Sequence, residues 1–228
     1  MDVREAPPAP SEVASTREAA GTRAAVVVAH PDDEVLWCGG FILSHPTWSW
    51  HVVTLCRGDD PDRAPRFRRA LARLGATGAM GNLEDGPAQQ PLPRNMLERA
   101  LVTLLPPRSF DLLLTHGPRG EYTRHRRHEE CSRVVARLCR QRRIEAGEVW
   151  LFAYEDGGRK YLPRVHEAAE IRYRLSLACW RAKRTILRDI YGFLPDSWEV
   201  RAAPREEGFI RLRANEPRKS LHSAAGGR

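Results

Sequence analysis

The sequence predicts an α/β fold, with helices sandwiching a mostly parallel β-sheet. Three observations carry that reading. Short apolar runs alternate with helical stretches, the pattern of βαβ units. The first run, residues 24–29, is apolar throughout, as a strand buried on both faces must be. The chain has 228 residues, 42% hydrophobic and 29% charged, which suits one soluble domain with one sizeable core.

The elements follow in order. Residues 24–29 (Ala-Ala-Val-Val-Val-Ala) form the first strand. Residues 35–44 read as a helix, although Gly39-Gly40 is unusual inside one. Residues 50–56 are the second strand. Residues 63–74 are an amphipathic helix ended by Gly75, a residue that suits a left-handed cap. Residues 78–82 make a short third strand. Residues 94–105 form a helix stopped by Pro106-Pro107. A strand at 110–115, a long helix at 125–141 and a strand at 148–154 follow. A helix over residues 168–190 closes the ordered domain. The chain thus divides into a disordered lead-in (1–22), one domain (23–200) and a basic, flexible tail (201–228).

Composition narrows the function classes. No stretch reaches the roughly 18–20 apolar residues that span a bilayer. Residues 1–23 lack the apolar core of a signal peptide. A cytoplasmic protein without a membrane partner is expected. The five cysteines are scattered, with no Cys-x-x-Cys, so neither a disulfide framework nor a thiolate metal site is indicated. Cys131 alone follows closely on a histidine, His128; it is either a core residue or a neighbour of the metal. The net charge is +8, with nine Arg against three Glu between Arg119 and Arg143. Such a surplus can attract nucleic acid or an acidic substrate; solvated helix faces explain it equally, and nucleic acid is not expected as a partner.

Ligands of open α/β sheets bind beyond the carboxyl ends of the strands. The first strand runs there into His30-Pro31-Asp32-Asp33-Glu34. A dinucleotide-binding fold would carry Gly-x-Gly-x-x-Gly at that place. An imidazole and three acids instead offer nitrogen and oxygen ligands that zinc accepts. Two adjacent carboxylates can divide the work, one holding metal and one moving protons. Without a metal, the same acids would serve as a helix cap. A second cluster follows the strand at 110–115. There His125 and His128, spaced i, i+3, share one face of a helix. They could reach the crevice that holds His30; read alone, they would be part of a solvated face. A catalytic zinc takes three protein ligands and leaves one position open. His30, Asp33 and one of the two histidines supply three, which leaves the other histidine and Asp32 for acid–base and oxyanion chemistry.

At these residues the chain resembles the PIG-L / LmbE-like deacetylase family. Ala29 to Glu34 match its Ala-His-Pro-Asp-Asp-Glu signature in full, and Gly39-Gly40 match the glycine pair that follows. The resemblance covers residues 24–154 and extends more loosely to 200. It implies a Rossmann-like three-layer α/β/α sandwich and a Zn2+-dependent N-deacetylase. It assigns His30, Asp33 and His128 as zinc ligands, Asp32 as general base and His125, protonated, as oxyanion stabiliser. Arg63, Asp85 and Tyr122 fall where substrate contacts lie. One departure stands out. The family's second motif often reads His-Pro-Asp-His, whereas this chain reads His125-Arg126-Arg127-His128. The acid that would orient an imidazole is missing, which leaves Glu121, Glu129 and Glu130 as candidates.

The implied reaction is hydrolysis of the N-acetyl group of a small substrate, an N-acetylglucosamine-type sugar or conjugate. The arginine-rich surround suggests an anionic one, such as a phosphorylated sugar. An amidase acting on a non-sugar amide and a metal-binding member without turnover are the alternatives. A homo-oligomer stays open.

Overall fold

The computed structural model describes residues 21–122 and 124–213. The apolar run becomes β1 (Arg23–Val28), buried from Ala24 onward. Its side chains alternate between two cores, as a pleated strand requires. Ala24, Val26 and Val28 face one core; Ala25 and Val27 face the other. That two-sided burial is why the run has no polar residue.

The chain continues through α1 (Asp33–Ser44), β2 (Ser49–Cys56), α2 (Arg63–Leu74), β3 (Ala76–Leu83), α3 (Arg94–Leu104), β4 (Phe110–Thr115), α4 (Arg126–Arg140) and β5 (Ala146–Phe152). A small ribbon of β6 (Tyr154–Glu155) and β7 (Arg164–Val165) follows, then β8 (Ile171–Arg174) and α5 (Leu177–Thr185). A π-helical turn (Ile186–Ile190), α6 (Trp198–Ala202) and β9 (Glu206–Arg211) end it. The main sheet has the order β3-β2-β1-β4-β5-β9-β8. Its first five strands are parallel; β9 and β8 are antiparallel additions. The first core takes α1, α2 and the π-helical turn; the second takes α3 and α4. The expected three-layer α/β/α sandwich with a mostly parallel sheet is therefore present. Among the described residues no helix is long and apolar enough to cross a membrane.

Two boundaries need correction. Residues 168–190 are not one helix. Ile171 and Tyr173 are half-buried while Arg172 and Arg174 are exposed, a period of two that makes β8. The helix begins only after Ser176, whose hydroxyl accepts the Cys179 N–H at 3.1 Å. Nor is the chain beyond residue 200 wholly a loose tail, since Glu206–Arg211 form β9, inside the sheet between β5 and β8. Phe209 is fully buried there. Residues 1–20 of the lead-in and 214–228 of the tail lie outside the described residues.

The chain around β8 and β9 also explains Gly40 in α1. A Cβ on Gly40 would lie 2.2 Å from Leu175 Cδ1. The Gly40 and Phe41 N–H groups donate to the Glu207 carboxylate at 2.9 and 2.6 Å. Glu207 is fully buried and pairs with the equally buried Lys183 at 2.6 Å. Burial pushes the Glu207 carboxyl up, and Lys183 holds it back. Removing one member of such a pair strands a buried charge. Lys183→Met is therefore expected to lower stability by ~3–5 kcal/mol in chemical denaturation. A loss under ~1 kcal/mol would show that the pair does not anchor β9 to α5.

Candidate active site

The strand order reverses between β1 and β4, which opens a crevice at their carboxyl ends. His30 follows β1, Arg57 follows β2, Asp85 follows β3 and His116 follows β4. His128 lies in the first turn of α4, with His125 capping it. A cleft of about 240 Å³ opens on His30, Arg57, Asp85, His125 and His128, and on Asp32, Asp33, Arg63, Tyr122, Trp198 and Glu199; His116 lies buried behind it.

The turn into α1 is strained. Asp32 has φ 117°, a conformation that non-glycine residues rarely adopt. Its carbonyl accepts the Val35 and Leu36 N–H groups, which starts the helix. Its own N–H donates to the Glu34 carboxylate at 3.0 Å. Glu34 is fully buried, and the Tyr191 hydroxyl donates to its other oxygen. Burial raises Glu34 to about 7. Tyr191 follows the π-helical turn, a local form often found near functional sites.

Three donor atoms converge beside this turn. His30 Nδ1 and Asp33 Oδ2 are 3.2 Å apart, His128 Nε2 and Asp33 Oδ2 3.4 Å, and the two imidazole nitrogens 3.3 Å. The outer nitrogens are engaged elsewhere. His30 Nε2 donates to Asp85 at 3.0 Å and His128 Nδ1 donates to Glu121 at 2.7 Å. A carboxylate can only accept, so a ring that is neutral carries its inner lone pair toward Asp33. Two lone pairs and an anion facing each other call for a positive charge between them. Burial opposes that charge on His30, but hydrogen bonds to Asp33 and Asp85 outweigh it and raise the ring to about 10. Burial likewise opposes the anion at Asp33, yet His128 and His116 hold it well below the usual carboxylate range. The edges also suit a metal. A tetrahedral ion with ligands at ~2.0–2.1 Å spaces them by ~3.3–3.4 Å. These side chains recur in two groups able to hold a metal ion, His30–His125–His128 and Asp33–His116–His128, so the arrangement is a metal-capable centre with carboxylate–histidine pairs behind it.

The predicted residues come together, with shifts of role. Asp32 is 3.3 Å from the Arg63 guanidinium. Burial and the neighbouring Asp33 charge raise its carboxyl well above the usual range, against His30 and Arg63. His125 packs against His30 and His128, at centroid distances of 4.8 and 4.6 Å. Its buried Nδ1 lacks a hydrogen-bond partner. Burial, with His128 and His30, lowers it to about 4, which disfavours the imidazolium expected. Tyr122 lines the cleft, stacked on Trp37 at 5.8 Å. Asp85 lines it too, but its oxygens already hold His30 and, at 3.1 Å, Arg57. Its geometry is that of a group orienting His30.

The missing inter-histidine acid is answered by Glu121, which accepts from both His128 and His116. Glu129 pairs with Arg124 and Glu130 with Arg127. Cys131 is core: its thiol packs under the site against Val27 O and Thr115 Oγ1. Sequence reasoning missed His116, Tyr191, the orienting roles of Asp85 and Glu34, and Arg57. His116 directly follows β4 as His30 follows β1, a signal that was there to use. Its Nε2 accepts the Ala29 N–H at 3.0 Å, so it braces the end of β1.

Comparisons with known proteins agree with this geometry. The PIG-L family, described as GlcNAc-PI de-N-acetylase, matches residues 25–139, which include both halves of the metal-capable centre. No curated protein matches the sequence. Among solved structures, N,N'-diacetylchitobiose deacetylase from Pyrococcus horikoshii superposes with a TM-score of 0.63 at 15% identity, over 92% of this chain and 96% of that one. GalB, the 4-carboxy-2-hydroxymuconate hydratase of Pseudomonas putida KT2440, gives 0.57 at 17%, over 89% and 100%. The zinc-inhibited form of teicoplanin deacetylase Orf2 gives 0.57 at 11%, over 84% and 99%. At such identities these likenesses establish the fold alone. The family match spans half of the sequence, and on it the chain belongs to the PIG-L family and is a hydrolase of its deacetylase type.

Proposed function

We propose that the cleft is the active site of a Zn2+-dependent N-deacetylase acting on an N-acetylglucosamine-type sugar or sugar conjugate. The observation that carries this is the triangle of His30 Nδ1, Asp33 Oδ2 and His128 Nε2, with Asp32 at its edge. The sugar class is supported by the family description and by the two deacetylase neighbours, which act on a chitobiose and on teicoplanin by their names.

His30, Asp33 and His128 would hold the ion. When bound, zinc supplies a Lewis acid that brings the pKa of water toward ~7 and polarises an amide carbonyl. Asp32 takes the proton of the attacking water; its raised carboxyl pKa suits it to accept and later release one. Arg63 keeps that carboxylate aimed across the cleft. As the acetamide carbon becomes tetrahedral, His125 donates an N–H to the developing oxyanion. It does so as a neutral imidazole, which lowers its strength as a donor but spares the site another cation. Asp32 then protonates the departing amine, and acetate is released. Asp85 and Glu121 do not touch the substrate in this scheme; they hold the ligand rings in the required tautomer. A hydratase neighbour shares the fold, so acetate in the product is the deciding chemical readout.

Two outcomes test the scheme. Asp32→Ala should retain zinc and lose ~10²–10⁴-fold in acetate release, while His30→Ala should lose both zinc and activity. Wild-type turnover by Asp32→Ala would remove it from the mechanism. Glu121→Gln should weaken zinc binding ~10–100-fold in a chelator competition titration, with the fold intact by circular dichroism. Unchanged affinity would leave Glu121 as packing only.

A further inference from the structure

The outer wall of the cleft is built by α6, and nothing above gives it a task. Trp198 and Glu199 both line the cleft from this short helix. The helix is well anchored: Val200 and Ala202 are buried, and the Ser197 hydroxyl accepts the Val200 N–H at 3.4 Å. The Trp198 ring is backed by Tyr122 at 4.7 Å and by Trp37 at 6.4 Å. It nonetheless remains 37% exposed. A large ring held rigidly from behind and open in front is a platform.

The charges around the platform are unevenly satisfied. Asp32 meets Arg63, Asp33 meets His30 and Trp37, and Asp85 meets His30 and Arg57. Arg57 is held further by Asp60. Both arginines of the cleft are therefore already committed to acids. Glu199 differs: its carboxylate makes no hydrogen bond or ion pair with any described residue. It faces the cleft as an unpaired acceptor beside an exposed aromatic face.

That pairing suits one chemistry. A pyranose ring presents a C–H face that packs on an aromatic ring, and its hydroxyls donate to a carboxylate. An ammonium group would serve Glu199 equally. A phosphate or carboxylate would meet an unpaired like charge with no free guanidinium to offset it. We infer that Trp198 and Glu199 form the sugar subsite, and that it selects rings carrying only hydroxyl or amine substituents against anionic ones. The inference rests on the deacetylase reading for the position of the reacting acetamide. It reverses the anionic substrate suggested by the net charge of +8.

The test has a binding arm and a turnover arm, both with the full chain loaded with Zn2+. In the first, N,N'-diacetylchitobiose and N-acetylglucosamine 1-phosphate are titrated calorimetrically into Asp32→Ala protein. The uncharged sugar should bind at least tenfold more tightly. Adding Trp198→Ala should weaken it roughly tenfold, and Glu199→Gln should narrow the gap between the two ligands. Glu199→Arg should invert the preference. Zinc affinity should not move in any of these variants, and the Glu199 variants keep the test open if Trp198→Ala fails to fold. In the second arm, Glu199→Gln in the otherwise native enzyme should raise KM for the uncharged sugar with a smaller effect on kcat, since Glu199 binds the ring and moves no proton of the reaction. Equal or tighter binding of the phosphorylated sugar, or binding indifferent to Glu199, would overturn the subsite. Sugar binding of the expected pattern without acetate release would overturn the deacetylase reading and leave the subsite standing.

Discussion

The site depends on one electrostatic constraint: a buried aspartate that faces the lone pairs of two imidazoles. Asp33 is 4% exposed, and His30 Nδ1 and His128 Nε2 stand 3.2 and 3.4 Å from its Oδ2. Without a proton or a metal ion between them these atoms would repel, and in a buried setting such repulsion is large. They stay together because each ring is fastened from behind, His30 by Asp85 and His128 by Glu121. The outer carboxylates decide which nitrogen carries the proton, and so which one faces inward. The centre is thereby shaped for a cation before one arrives, which is what preorganisation means physically.

The scaffold that tolerates this arrangement is assembled from distant parts of the chain. Helix α1 must enter the cleft at a fixed angle, because Asp32 and Asp33 lie in one strained turn. Glu34 fixes the entry by taking the Asp32 N–H, and Tyr191 fixes Glu34. Further along α1, the Tyr154 hydroxyl donates to the Trp37 carbonyl, and Glu207 takes two N–H groups at Gly40 and Phe41. The helix is thus held by side chains from three later parts of the chain, and the absence of a Cβ at Gly40 leaves room for Leu175. Local strain at Asp32 is offset by these contacts, as strained functional turns generally require.

What could be read from the sequence follows from this division. Features set by short-range pattern were legible: the buried β1, the Gly75 cap, the His30–Asp33 turn at a strand end and the His125–His128 spacing on α4. Features set by long-range pairing were not. Strand β9 reads as basic tail because its burial depends on β5 and β8, and Glu207 looks like a surface acid until Lys183 is placed beside it. Tyr191 carries no signal at all, since its partner Glu34 lies 157 positions away. Asp85 was found, but as a substrate contact; its bond to His30 spans 55 positions and no spacing rule predicts it. Glu121 stood among three candidate acids, and only the fold separates it from Glu129 and Glu130, which arginines occupy.

The same limit explains why composition misleads about the cleft. The chain carries 37 Lys and Arg against 29 Asp and Glu, a surplus that invites an anionic partner. Charge acts over roughly a Debye length of ~8–10 Å in salt, so what a ligand feels is the local set of groups and not the total. Around α4 many arginines are spent on neighbouring glutamates: Arg124 and Arg133 on Glu129, Arg127 on Glu84 and Glu130, and Arg137 on Glu98. Inside the cleft, Arg57 and Arg63 are spent on aspartates, and the carboxylate of Glu199 is left over. A basic protein has thus built a mouth whose remaining unpaired charge, among the described residues, is negative. The proposed ion between His30, Asp33 and His128 is positive for a related reason: four carboxylates line the cleft against two arginines.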